Sequence, residues 1–280
     1  MKKLVAFHYF GGKSGHLDWL YSLLPERCHL VEGMCGAASV GLNATHALVT
    51  INDLNNDVIN FFKVLRDHYP EFKEKLKLTP FSREEFYAAA KPSRNKVEKA
   101  RRFFIRSLQG FAGQGCQNEE KAWGYEISSV NFYNGKQRGH YRVDTWQGKL
   151  EALDAIAFRL RGIQIEHDTV LNIVDRYNKP SVCLYLDPPY VRSLRSDKKR
   201  YRHEYTDGDH VILAQKLEAF TGYVAVSGYE GDMYDEIFPA PTWTKSYGQI
   251  LRTNTKKKER QEVLWTNYDP AITRSQQQLF

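Results

Sequence analysis

The run Leu184-Tyr185-Leu186 passes directly into Asp187-Pro188-Pro189-Tyr190, a junction with the residue types for chemistry on an amine. Two successive prolines neither donate to a β-ladder nor continue a helix, so the apolar stretch from Val182 to Leu186 reads as a strand that stops there. They also hold the flanking backbone extended. The result is a stiff corner at a strand's C-terminal end, with a carboxylate before it, carbonyls within it and a phenol ring after it. In open α/β sheets that edge is where ligands bind. Such a set suits a planar base carrying an exocyclic amine. Taken alone, the tetrapeptide reads equally as a surface turn, because Asp-Pro opens turns.

The elements that must position this corner are legible on either side of it. His29-Leu30-Val31-Glu32 reads as a strand and leads into Gly33-Met34-Cys35-Gly36-Ala37-Ala38-Ser39, after which Ala38 to Thr45 has a helical pattern. A strand, a loop of small residues and a helix form a nucleotide-binding α/β unit, although the spacing is not the Gly-x-Gly-x-x-Gly of dinucleotide folds. A second strand, Ala47 to Ile51, ends in Asn52-Asp53-Leu54-Asn55. An acid at this point, about twenty residues past the glycines, is placed to grip a ribose diol. Val58, Phe61, Phe62 and Leu65 then fall on one helical face. Upstream, Tyr9-Phe10-Gly11-Gly12-Lys13 is a glycine loop whose lysine can neutralise a carboxylate or phosphate. Downstream, Ile163 to Asp168 reads as a strand with an acid at its end, and Asp209 to Phe220 as a helix. Tyr223 to Ser227 is a further strand, and two late strands lie near Thr242 to Tyr247 and Glu262 to Asn267.

The 280 residues, 42% apolar and 26% charged, describe an ordinary globular chain with ample length for a core. No stretch is long and apolar enough for a membrane span, the N-terminus turns polar too soon for a signal peptide, and no membrane partner is expected. Four scattered cysteines (Cys28, Cys35, Cys116, Cys183) with no Cys-x-x-Cys pair argue against a zinc site or disulfide framework and for a reducing, cytoplasmic setting. The net charge of +7 is uneven. Lys91 to Arg106 carries seven basic residues against one acid, Arg192 to Arg202 six against one, and Arg252 to Arg260 five against one. A charge run is usually a solvated face. Three of them on an otherwise acidic chain favour a polyanionic partner, most simply nucleic acid.

Asp53 and Asp187 lie 134 positions apart, far beyond one crossover. Residues 70–160 therefore read as an inserted, mainly helical subdomain, with helices over Ser82 to Ala90 and Asn95 to Gly110 and a polar, aromatic stretch after them. Its mix of Arg, Lys, Asn, Gln and aromatics suits base reading.

Together, Tyr9-Phe10-Gly11-Gly12-Lys13, the loop from Glu32 to Asn43, Asn52-Asp53-Leu54-Asn55 and Asp187-Pro188-Pro189-Tyr190 occur in an order that resembles the Dam-like adenine-N6 DNA methyltransferases, phage and orphan enzymes included. The resemblance runs from about residue 5 to 268. It departs from the family at the loop, where Gly33 and Ala38 replace the usual Pro and last Gly, and at His8, where Trp is frequent.

The resemblance implies a Rossmann-like α/β methyltransferase sheet with a β-hairpin, built from 1–69 and 161–280, with 70–160 as target-recognition insertion. It implies S-adenosylmethionine as cofactor, no metal and double-stranded DNA as partner, and leaves monomer and homodimer both open. Tyr9 and Lys13 would hold the methionine end, Lys13 against its carboxylate. Glu32, Gly33, Cys35, Gly36 and Ala37 would wrap the cofactor, Asp53 would bond the ribose, and Asp168 would sit near the adenine ring. Tyr190 would stack on a flipped target adenine, while Asp187 and the Pro188 carbonyl, with Pro189 stiffening the corner, would accept the amine hydrogens. DNA contacts would come from Arg106, Asn118, Arg138 and His140 in the insertion and from Arg192, Arg195, Lys198, Lys199 and Arg200 in a basic loop. Lys256, Lys257 and Lys258 would meet phosphates at a hairpin tip.

The chemistry fits independently. An aromatic amine's lone pair is delocalised into its ring, so two acceptors around its hydrogens favour a tetrahedral nitrogen poised for in-line displacement, driven by positioning and electrostatics. Asp187 need not be a strong base, since the proton can leave after methyl transfer. Flipping a base costs a few kcal/mol, and aromatic stacking returns roughly 1–3 kcal/mol. Two other readings remain open at this stage: methylation of another acceptor (RNA adenine, cytosine N4 or a protein amide), or a non-catalytic DNA-binding partner subunit.

Overall fold

The computed structural model describes residues 3–9, 11–110, 123–125, 131–133, 136–138, 141–190, 205–251 and 260–273. Its strands are β1 (His29–Glu32), β2 (Leu48–Asn52), β3 (Asn131–Tyr133), β4 (Lys136–Arg138), β5 (Ile163–Glu166), β6 (Val182–Leu186), β7 (Tyr223–Tyr229), β8 (Thr244–Leu251) and β9 (Arg260–Thr266). Seven of them form one sheet in the order β5-β2-β1-β6-β7-β9-β8. The first five are parallel, and β9 and β8 close the edge as an antiparallel pair. The order reverses between β1 and β6, so their C-terminal ends flank the crevice where such sheets bind ligands.

The helices are α1 (Leu17–Leu23), α2 (Ser39–Asn43), α3 (Asn56–Asp67), α4 (Tyr69–Lys77), α5 (Arg83–Ala88), α6 (Lys96–Gln109), α7 (Tyr141–Leu160), α8 (Val170–Arg176), α9 (Asp207–Glu218) and α10 (Asp232–Ile237). A parallel sheet covered on both faces needs apolar residues at successive positions, and every residue of β6 is buried. Period-two alternation divides them: Cys183 and Tyr185 join one apolar cluster, while Val182, Leu184 and Leu186 join the other. The first cluster takes in α1, α2, α3, α4, α6 and α7, and the second α8, α9 and α10. The sequence-based Rossmann-like sheet and its late hairpin match this architecture. No helix among the described residues is long and apolar enough to cross a membrane.

The helices of 70–160 pack differently from a subdomain with its own core. Phe72 of α4, Phe103 and Phe104 of α6 and Trp146 of α7 are buried in the same cluster as Leu30, Val49 and Ile51 of the sheet. Phe61 of α3 stacks on Phe104 at 5.7 Å between ring centroids and meets Phe7 edge-on. The boundary drawn at residue 70 therefore runs through one continuous core. Pattern reading also passed over α4, whose buried Phe72 and Leu76 stand one turn apart behind Pro70. It passed over the short β3–β4 ladder as well, which pairs Asn131 with Arg138.

Candidate active site

Four strand ends build the site, and three of them, those of β1, β2 and β5, are tied together by hydrogen bonds. At the end of β1, Glu32 turns inward, and its carboxylate accepts from the backbone N–H of Gly41 (2.7 Å) and Val40 (3.3 Å) on α2. Burial pushes this carboxyl up to about 8, against the pull of those two bonds. A side chain at Gly41 would meet Ile51 at 2.6 Å, so glycine lets α2 lie close to the sheet. The loop between turns through Gly36 (φ 48°) and Ala38 (φ 52°). A Cβ on Gly36 would sit 2.7 Å from the Tyr9 ring. Ala38, where the resembled loop ends in glycine, holds the left-handed conformation with a side chain, at a cost of about 1–2 kcal/mol.

At the end of β2, Asp53 closes the loop from outside, accepting from Gly36 N (2.8 Å) and Asn55 N (2.7 Å). Its neighbour Asn52 ties all three ends together. The Asn52 amide donates to the carbonyls of Gly33 (2.9 Å) and Asp168 (3.1 Å), and its oxygen accepts from Asp168 N (2.9 Å). Asp168, past β5, accepts from Asn172 (2.7 Å) and Arg176 (2.7 Å), which hold its carboxyl below the usual range. Cys35 is buried, and burial pushes its thiol up.

These ends enclose a cavity of about 330 Å³. Tyr9, Lys13, Glu32, Gly33, Cys35, Gly36, Ala37, Asp53 and Asp168 all line it, so the predicted cofactor residues converge although they span 160 positions of chain. Asp187 and Pro189 line it as well. A volume of this size falls in the ordinary range for small-ligand sites.

Asp187 belongs to a buried charge network. The Lys13 ammonium is 2.8 Å from Asp187 Oδ1 and 3.2 Å from Glu262 Oε1, and it donates to the Tyr190 hydroxyl at 2.6 Å. Tyr190 in turn donates to Glu262. Its ring meets Tyr229 edge-on, with centroids 4.5 Å apart. Burial pushes Asp187 up to about 6, with Glu262 adding to the rise and Lys13 opposing it. Burial also carries the Tyr190 phenol well above its usual range.

Sequence reading missed Glu262. It lies on β9 in phase with Leu264, which is buried in the core, and is itself 3% exposed. An acid at a core-facing strand position must find a partner, and that register was the available signal. Asn52 was passed over as part of a motif whose acid drew attention.

The sequence model of the D12 class N6 adenine-specific DNA methyltransferases matches residues 9–240. The chain belongs to this D12 class. Over 60 residues, or 21% of the chain, it is 40% identical to the DNA N-6-adenine-methyltransferase of Escherichia phage P1, covering 8% of that protein. Over 67 residues, or 24% of the chain, it is 40% identical to the DNA adenine methylase of Vibrio cholerae serotype O1, covering 24% of it. The matched stretches thus span a quarter or less of these relatives' lengths. A solved structure described as a methylase from Haemophilus influenzae aligns over 91% of this chain and 96% of its own, at 10% identity and a TM-score of 0.34.

The residues expected to contact DNA in this D12-class chain are placed unevenly. Arg106 is half-buried in the last turn of α6. Arg138 belongs to the β4 backbone. Asn118, His140, Arg192, Arg195, Lys198, Lys199, Arg200, Lys256, Lys257 and Lys258 lie outside the described residues. Part of the first basic run is engaged within the fold. Arg101 pairs with Glu85 and Glu98, Arg102 with Glu98, and Lys99 with Asp57. Its charge count therefore overstates what it offers a polyanion.

Proposed function

We propose that the protein transfers a methyl group from S-adenosylmethionine to the N6 amine of an adenine turned out of double-stranded DNA. The observation that carries this reading is Asp187, paired with Lys13 and lining one cavity together with the glycine loop and Asp53.

The residues present suit that cofactor. Gly36 lets the Tyr9 ring pack against the loop where a Cβ would clash, and Asp53 lines the cavity at the β2 end, where its carboxylate suits a ribose diol. The bound cofactor supplies a methyl group activated by a sulfonium. Asp168, fixed by Asn172 and Arg176, is a rigid wall beside the adenine end. For Lys13, three bonds toward Asp187, Tyr190 and Glu262 favour orienting the Asp187 carboxylate over pairing with the cofactor's own.

Asp187 and the Pro188 carbonyl then accept the two hydrogens of the adenine amine, and its lone pair turns toward the methyl group. Charge developing on that nitrogen is met by a fixed, largely buried carboxylate, where such an interaction is strong. Tyr190, its hydroxyl anchored inward, offers its ring to the flipped base, and the basic stretches meet phosphates.

Incubation of the purified protein with S-adenosylmethionine carrying a labelled methyl group and duplex DNA tests this. Label is expected on adenine N6; label only in RNA, cytosine or protein, or none at adequate enzyme, would sink the reading. Asp187→Ala should lower turnover by at least about a hundredfold while cofactor affinity stays within about threefold. Lost cofactor affinity would reassign the carboxylate.

A further inference from the structure

Glu262 stands apart from the other charged residues of the site. It does not line the cavity, yet its carboxylate is within reach of Lys13 and receives the Tyr190 hydroxyl. Side-chain exposure is 6% for Lys13 and 3% for Glu262, against 19% for Asp187. One ammonium thus serves two carboxylates, and only one of those carboxylates reaches the ligand space. A buried acid is tolerated only when paired, and buried apolar residues follow Glu262 along its strand at Val263 and Leu264. Packing alone gives no reason for a second acid here.

We propose that Glu262 is a positioning residue for methyl transfer: by sharing the Lys13 ammonium and holding the Tyr190 hydroxyl, it keeps Asp187 oriented and strong as an acceptor for the substrate amine. This rests on the function proposed above. A lysine devoted wholly to Asp187 would neutralise it and weaken its hold on amine hydrogens. With Glu262 drawing the same charge from the other side, Asp187 keeps its negative character, and the phenol between them fixes the corner's direction.

The charge on Glu262 also raises the Asp187 pKa, while Lys13 lowers it. Other groups around the carboxylate are His16 behind Lys13, Tyr185 on β6, Tyr190 on its own corner and Glu32 at the end of β1. Asp53, Asp168, Tyr205 and Asp209 line the remaining cavity walls. Among the groups acting directly on Asp187, Glu262 is the nearby negative charge that a neutral isostere removes without touching the cavity lining.

Glu262→Gln keeps the size and an acceptor for Tyr190 but removes the charge. At pH about 7.5 the variant should lose about tenfold or more in kcat, with KM for S-adenosylmethionine within about threefold of wild type. The acid limb of kcat/KM, expected near pH 6 in the wild type from the raised Asp187 pKa, should move to lower pH. A merely structural glutamate would lower thermal stability and leave the limb in place, and that result overturns the proposal. Glu262→Asp, which restores charge at a shorter reach, should return the limb toward its wild-type position with kcat still reduced. If the glutamine variant does not fold, wild-type kcat in Glu262→Asp overturns the proposal. A readout free of turnover separates this from the function itself. The Asp187 carboxyl carbon, assigned by comparison with Asp187→Asn, should titrate near 6 in wild type and lower in Glu262→Gln by NMR. An unmoved titration refutes the role of Glu262 whatever the substrate proves to be. A wild-type protein that leaves DNA unlabelled refutes the function instead.

Discussion

Glu32 puts a carboxylic acid into the interior and gives it two backbone N–H groups to bind. Burial and those bonds act in opposite directions, and burial prevails, leaving the folded-state pKa at about 8 from an ordinary 4.5. A raised acid favours the folded state while protonated, so this contribution is full below 4.5 and is lost as pH rises through about 8. Glu32→Gln stays neutral and keeps an acceptor for Gly41. Urea unfolding should therefore find the two proteins close near pH 5, with the variant more stable above about pH 8 by on the order of a few kcal/mol. A stability difference that does not change with pH would refute the burial argument. Cys28 poses the opposite case. Hydrogen bonds from Cys183 and His46 hold its thiol near 6 despite partial burial. Iodoacetamide at pH about 7 should alkylate one thiol faster than a free cysteine's thiolate fraction allows, and Cys28→Ser should abolish that phase.

At the level of elements, α6 shows how a helix can carry both charge and core. Asn95 caps it by accepting from Glu98 N, and Glu98 then gathers Arg101 and Arg102 on the outer face. These bonds hold the Glu98 carboxyl near 2. Phe103, Phe104 and Leu108 face inward against α3 and α7. Phe104 has no exposure and stacks on Phe61. Phe104→Ala should cost about 3–5 kcal/mol, and because its cluster includes sheet residues, unfolding should remain one transition by fluorescence and circular dichroism. Two separated transitions would show that the helices of 70–160 fold as a unit of their own. The periodic pattern located α6 within about one residue at each end. It did not reveal that the helix shares a core with β1 and β2, because periodicity gives a face and not its partner.

Across the whole molecule, the five-strand parallel sheet brings residues from the N-terminus, β1, β2, β5 and β6 to one edge, and the antiparallel pair adds Glu262 from the far end of the chain. The charge that would meet DNA lies mainly in stretches outside the described residues. Replacing Lys256, Lys257 and Lys258 by Ala should weaken binding to all duplex sequences alike. It should flatten the slope of log affinity against log salt by roughly 0.9 for each phosphate that is no longer neutralised. A weakening confined to one sequence would assign these lysines to base reading.

Local signals determined a good deal of this protein. Apolar runs of strand length, the Asp187-Pro188-Pro189-Tyr190 stop and the small-residue loop after β1 are set by covalent geometry and burial, so they can be read without the fold. So can the acid after β2, because a parallel α/β unit places it beside the loop. Contacts between distant positions were decided only by the tertiary structure. Lys13 was expected to face the cofactor's carboxylate, whereas its nearness to Asp187 and Glu262 depends on strand order and register. Asn52 gained its role from three chain ends meeting. The first basic run gave up Lys99, Arg101 and Arg102 to acids on α3, α5 and α6. Charge and hydrogen bonding act through space, and distance in space is what a linear sequence leaves open.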